Sequence, residues 1–180
     1  MEQADVFIKR VCLIGAESTG KTTLAEALAH HFNTAWVREF AREYLEPKNW
    51  VCQWEDMIAI AEGQARLEDE TVERANRVLF CDTDSITTSI WCERYFEKCD
   101  PRILRLAEGR RYDLYFLCDI DFAWVDDGTR DSGHLRNWFH HRFLEEIEAR
   151  SLPCALLSGS FEERMSKAIA EVNRLLGGRD

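Results

Sequence analysis

An α/β fold built on a parallel, doubly wound sheet of five strands is predicted by three features of the sequence. Apolar runs of strand length alternate with helical patterns. A glycine-containing loop joins the first run to the first helix. Acidic residues follow the second and third runs. Strands that read as nearly continuous apolar runs, joined by helices, are buried on both faces, and that is the signature of a parallel sheet.

The elements follow in order. Phe7–Ile14 is β-branched and apolar and stops at Gly15, which predicts a buried strand. Lys21–Phe32 carries Leu24, Ala25, Leu28 and Phe32 on one helical face. Thr34–Val37 reads as a short second strand, and Gln53–Arg74 as a helix with Met57, Ile60, Ala61 and Leu67 in register. Arg77–Cys81 is the third strand, with Asp82 first off its end. Ile86–Phe96 and Ile103–Glu108 are helical, broken at Asp100-Pro101. Asp113–Cys118 is the fourth strand, and 122–134 has no periodicity and reads as a loop. Leu135–Arg150 is a helix, Cys154–Leu157 the fifth strand, and Glu162–Leu176 a closing helix that stops at Gly177-Gly178. The 180 residues suit one domain, 1–180, without repeat or linker.

Composition narrows the function. The net charge of −10 repels polyanions, so a small molecule, and a cationic one above all, is the expected partner rather than nucleic acid. No apolar run approaches the ~20 residues of a membrane span. The N-terminus lacks a signal-peptide pattern, so the expectation is cytoplasmic, without a membrane partner. The seven cysteines form no C-x-x-C pair. Cys12, Cys81, Cys118 and Cys154 fall in strands, where a reduced thiol acts as a small hydrophobe. His30, His31, His140 and His141 lack metal-ligand spacing and read as solvated helix faces.

The loop Gly15-Ala16-Glu17-Ser18-Thr19-Gly20-Lys21-Thr22 satisfies G-x-x-x-x-G-K-[ST], with an apolar strand before it and an amphipathic helix after it. Gly15 and Gly20 permit backbone angles that turn successive N–H groups onto phosphate oxygens, and the helix adds its positive end. Lys21 supplies a cation for the β- and γ-phosphates. The Thr22 hydroxyl is a ligand for Mg²⁺, and Glu17, Ser18, Thr19 and Thr23 complete the ATP cradle. No N-K-x-D motif follows, which argues against a switch GTPase, and the length favours a small-molecule kinase.

Ligand crevices in such sheets open at the carboxyl ends of the strands. Asp82 and Glu39 lie there, and a kinase needs one carboxylate for the metal and one to deprotonate the attacking hydroxyl. Asp82 is expected nearest the phosphates, and Glu39 on the hydroxyl side. Asp84 is a candidate helix cap, and Arg42 either an ion-pair partner of Glu39 or a substrate contact. In the loop after strand four, Arg130 is the first candidate to close over the transferred phosphoryl and Arg136 the second, with 122–134 as the lid.

The phosphate loop as GAESTGKTT, then WVREFAREY from Trp36 to Tyr44, Gly63-Gln64 before Leu67-Glu68-Asp69-Glu70, FCDTD from Phe80 to Asp84 with Thr87-Thr88, and WVDDG from Trp124 to Gly128 together resemble the NadR-type ribosylnicotinamide kinases. The likeness runs from Val11 to about Leu176. It implies a three-layer P-loop fold like that of nucleoside monophosphate kinases, with strand order 2-3-1-4-5. It also implies ATP- and Mg²⁺-dependent phosphorylation of the ribose 5′-hydroxyl of nicotinamide riboside, in NAD salvage. Many members fuse this kinase to an adenylyltransferase and a DNA-binding segment, and neither activity is expected here. Glu39, Phe40, Arg42, Tyr44, Asp82 and Asp84 are the candidate substrate contacts, with Trp91 a further aromatic for the ring. One departure is Arg38, where some members carry an aromatic. It leaves open a kinase for another nucleoside or small hydroxyl metabolite. A regulatory P-loop ATPase is the alternative of a different class.

Overall fold

The computed structural model describes residues 7–121 and 135–177. Its elements are β1 (Lys9–Ile14), α1 (Lys21–His31), β2 (Trp36–Val37), α2 (Phe40–Leu45), α3 (Trp54–Thr71), β3 (Val78–Asp82), α4 (Ser85–Phe96), α5 (Pro101–Gly109), β4 (Leu114–Cys118), α6 (Arg136–Arg150), β5 (Cys154–Leu157) and α7 (Phe161–Leu175). The strands pair in parallel in the order β2-β3-β1-β4-β5, the order that the resemblance implies.

Alternate strand residues supply two cores. Val11, Leu13, Val78, Phe80, Phe116 and Cys118 pack on Leu24 and Leu28 of α1 and on Ala168 and Val172 of α7. Cys12, Ile14, Leu79, Cys81, Tyr115 and Leu117 meet Ile86 and Ile90 of α4 and Phe139 and Phe143 of α6 on the opposite face. Each large apolar side chain removed from water contributes roughly 1.5–3 kcal/mol, so the sheet is fixed from both sides. Met57 and Ala61 of α3, Cys92 of α4 and Ile103 of α5 form a smaller cluster beyond the sheet. All the cysteines are free thiols, and burial pushes Cys118 and Cys154 up to about 11. No helix among the described residues is long and apolar enough to cross a membrane.

Helix starts follow local chemistry. Gln53 and Asp56 form a reciprocal capping box on α3, as Ser160 and Glu163 do on α7. Asp84 caps α4, accepting from the Thr87 N–H at 3.0 Å. Asp100 caps α5, whose first residue is Pro101.

Four expectations are corrected. Residues 40–45 form a helix, α2, that the sequence reading passed over, because six residues hold too few turns to show a period. Helix α3 stops at Thr71 and continues only as a tight turn over Val72–Arg74. Asp82 is the last residue of β3, opposite Leu13 of β1, rather than first off its end. His140 is buried, with Nε2 3.8 Å from an Asp119 carboxylate oxygen, rather than on a solvated face. The lid assigned to 122–134, with Arg130, lies outside the described residues.

Candidate active site

β1 sits between β3 and β4, so its carboxyl end is where successive connections leave for opposite sides. The phosphate loop starts there. Gly20 precedes α1 with φ +81°, an angle that a side chain rarely adopts, and the loop curls over the start of the helix. Thr19 Oγ1 donates to the Ala16 carbonyl at 2.8 Å and braces the turn. Lys21 Nζ lies back along the loop and donates to the carbonyls of Gly15 and Ala16 at 3.0 and 2.8 Å. Glu17, Ser18, Thr19, Gly20, Lys21, Thr22, Thr23, Glu39 and Arg42 line a cradle of about 150 Å³.

Asp82, at the end of β3, meets this cradle through Thr22. Its Oδ2 accepts from the Thr22 hydroxyl at 2.5 Å. Its Oδ1 is buried without a hydrogen-bond partner among the described residues. Burial pushes the carboxyl up to about 6, the Glu39 charge adds to the rise, and Lys21, the Thr22 bond and Arg42 oppose it. Glu39 sits at the N-cap position of α2 and pairs with Arg42 at 3.0 Å, and both line the cradle.

A second, larger cavity of about 530 Å³ adjoins the cradle. Glu39 lines both, alone among the described residues. Trp50, Trp91, Tyr95 and Phe96 supply aromatic walls, while Gln64, Thr83, Thr87 and Thr88 supply polar atoms. The Trp91 and Tyr95 rings stack with centroids 5.1 Å apart. That size and mixture suit a nucleoside-sized ligand.

Of the candidate substrate contacts, only Glu39 and Trp91 line this cavity; Arg42 lines the cradle, Asp82 bonds Thr22 beside it, and the other three line neither. Phe40 packs its ring on Gly63 of α3, and its N–H donates to Gln64 Oε1 at 2.8 Å. The Tyr44 hydroxyl donates to Asp56 at 3.0 Å, and Lys48 bonds the same carboxylate, so Tyr44 fastens α2 to the start of α3. Asp84 is buried, caps α4 and accepts from the Tyr115 hydroxyl at 3.1 Å. Two residues apart on an extended strand would share a side, but Thr83 between them has φ +72° and breaks that alternation, so Asp82 meets Thr22 while Asp84 meets Thr87 and Tyr115. Arg136 is buried at the start of α6 and does not line the cradle. Arg38 is exposed and lines neither cavity, so the departure from an aromatic there leaves the aromatic walls intact.

The sequence reading missed Trp50, Gln64, Thr83 and Tyr95 as cavity residues. A signal was present in α4, where Thr87, Thr88, Trp91 and Tyr95 recur at helical spacing on one face. Gln64 entered only as part of a motif of the resemblance, and Trp50, in the connection between α2 and α3, carried no signal.

The residues fit Mg²⁺ and a phosphate chain. A buried carboxylate oxygen left without a partner, beside a threonine hydroxyl, is the hard-oxygen set that Mg²⁺ takes, and the cradle lies at a helix N-terminus where anions bind.

The sequence and the fold are similar to those of known proteins. The trifunctional NAD biosynthesis/regulator protein NadR of Escherichia coli (strain K12) is 32% identical over 178 residues, covering 95% of this chain and 43% of that protein. The chain thus spans less than half the length of that relative. The crystal structure of NadR protein in complex with NR superimposes with a TM-score of 0.85 at 28% identity, covering 96% of this chain and 53% of the other. Deoxyadenosine kinase from M. mycoides, 8% identical, matches with a TM-score of 0.67 over 92% of this chain and 99% of its own, and shows the fold alone. The family model described as AAA domain matches residues 10–164, and with NadR among its relatives this protein belongs to that family.

Proposed function

We propose that the protein transfers the γ-phosphoryl group of ATP to the ribose 5′-hydroxyl of nicotinamide riboside. The observation that carries this reading is Glu39, whose carboxylate edges both the phosphate cradle and the aromatic cavity. A hydroxyl presented from the cavity therefore meets a carboxylate before it meets the phosphates. The charge of that carboxylate and four aromatic side chains favour a flat cationic ring. The likeness to a NadR protein in complex with NR supports the same acceptor.

In this reading Lys21 and the loop N–H groups hold the β- and γ-phosphates, and Glu39 orients and deprotonates the hydroxyl. Asp82 and Thr22 hold Mg²⁺, which when bound neutralises the phosphate charge and orients the transferring group. Arg130, with 122–134 as the lid, completes the assignment. The work is positioning and electrostatics, as phosphoryl transfer requires.

The test is a side-by-side comparison of nicotinamide riboside and uridine with Mg²⁺-ATP. A cation over an aromatic face is worth roughly 0.5–2 kcal/mol, so loss of the ring charge is expected to lower kcat/KM by up to about 30-fold. Preference for uridine, or ATP hydrolysis without transfer to either, would overturn the acceptor.

A further inference from the structure

Among the described residues, Arg164 is the largest side chain that is essentially shut off from water, at 2% exposure. It stands in the first turn of α7, outside both cavities. Its guanidinium reaches three segments at the carboxyl edge of the sheet. Nη1 donates to the Thr19 carbonyl at 3.1 Å, and Nε to the Gly159 carbonyl at 3.0 Å. Nη2 donates to the Asp119 carbonyl at 3.3 Å and pairs with the Asp121 carboxylate. Asp121 in turn accepts from the Gly159 N–H at 2.5 Å. The phosphate loop, the end of β4 and the β5–α7 turn thus meet on one planar cation. A buried charge is expensive to keep, and an apolar residue would fill the same space at less cost to folding. The arrangement therefore calls for another explanation.

The Thr19 contact supplies it. A trans peptide is planar, and its carbonyl and N–H point in opposite directions. Holding the Thr19 oxygen on Arg164, behind the loop, turns the N–H of Gly20 the other way, toward the cradle that Gly20 lines. Gly20 has φ +81° and no side chain to resist rotation of that peptide, so an outside contact must fix it. We infer that Arg164 is a positioning residue for ATP, pinning the Thr19–Gly20 peptide so that the Gly20 N–H faces the phosphates. The inference rests on the nucleotide half of the proposed function and is independent of the acceptor.

The experiment compares wild type with Arg164→Lys and Arg164→Met by calorimetric titration with Mg²⁺-ADP and with adenosine, alongside melting temperatures. A hydrogen bond to a charged group is lost when the peptide can turn away. Mg²⁺-ADP affinity is then expected to fall about 10- to 100-fold in both variants, and adenosine affinity to change little. Lysine keeps the charge but not the planar fork, so it is not expected to rescue. Wild-type Mg²⁺-ADP affinity in either folded variant would overturn the inference, as would full rescue by lysine or failure of both variants to fold. Because no acceptor is present, a wrong acceptor cannot produce these results. A wild type that fails to bind Mg²⁺-ADP would instead defeat the nucleotide assignment itself.

Discussion

The Thr22 hydroxyl donates to Asp82 Oδ2 at 2.5 Å and joins α1 to the end of β3 across 60 residues of sequence. The bond uses one carboxylate oxygen and leaves the other, Oδ1, buried without a partner among the described residues. One oxygen is thus orientated by the loop and the other is left for a ligand. Asp82 owes this position to strand pairing, since it lies opposite Leu13, two residues before the phosphate loop begins.

Lys21→Ala is expected to lose most turnover while the protein stays folded. Lys21 is only half-buried, and its ammonium meets only backbone carbonyls of its own loop, so little packing depends on it. Removing a preorganised charge from a transferring group lowers kcat by roughly 10²–10³-fold. Steady-state kinetics with a circular-dichroism melt checks both halves, and near wild-type turnover would remove Lys21 from the site.

The raised carboxyl of Asp82 sets the pH dependence. Its ionised form is the one that binds metal, so kcat/KM is expected to rise with pH through about 6 in the free enzyme. The Glu39 charge helps to raise that carboxyl, so Glu39→Gln is expected to move the acid limb to lower pH. Arg42 opposes the rise, so Arg42→Ala is expected to move the limb up. Stability has the opposite sign. Between 3.8 and about 6 the folded state holds the proton more tightly than the unfolded chain, so stability falls as pH rises across that window. Asp82→Asn is therefore expected to melt higher than wild type at pH 8, while its kcat drops about 10²–10⁴-fold. An acid limb unmoved by either neighbouring substitution would refute the coupling.

Thr83 holds φ +72°, a conformation that β-branched residues avoid, and it lines the acceptor cavity between Asp82 and Asp84. Such strain is on the order of 1–3 kcal/mol and persists where the surroundings over-determine it. Thr83→Gly is expected to melt at or above the wild-type temperature, with a higher KM for the acceptor and unchanged ATP affinity. A lower melting temperature with unaltered KM would mean that the threonine serves only the fold.

The sheet and the phosphate loop could be read from sequence because their signals are local: apolar runs, a fixed glycine spacing and a helical face. Asp82 and Glu39 could be reached from their place at the carboxyl ends of strands. The acceptor cavity could not, because α2 is too short to show a period and its fit on α3 sets which residues face inward. Phe40 and Tyr44 looked like ring contacts by their position beside Glu39, yet their partners are Gly63 and Asp56, 23 and 12 residues away. Arg164 gave no sign, since most of its acceptors are backbone carbonyls and its reach to Thr19, Asp119 and Asp121 spans segments far apart in sequence.

Gly63 tests how closely α2 must sit on α3. A methyl group added there would lie 2.1 Å from Phe40 Cε1 and 2.5 Å from two more ring atoms, well inside contact distance. Phe40 opens α2 directly after Glu39, and its N–H is held by Gln64, so a displaced ring drags the carboxylate that borders both cavities. Overpacking of this kind is destabilising by about 1–3 kcal/mol. A shift of about 1 Å in a positioned group lowers turnover on the order of 10²-fold. Gly63→Ala is therefore expected to melt lower and to lose kcat for the acceptor, while Mg²⁺-ATP binding stays near wild type because no residue of α3 lines the cradle. Gly109→Ala is the control: it lies at the end of α5 with nothing within 4 Å of the added atom, and is expected to leave both measurements unchanged. Equal loss of ATP affinity and turnover in Gly63→Ala would mean that the whole fold had loosened. A wild-type kcat would separate Glu39 from the packing of Phe40.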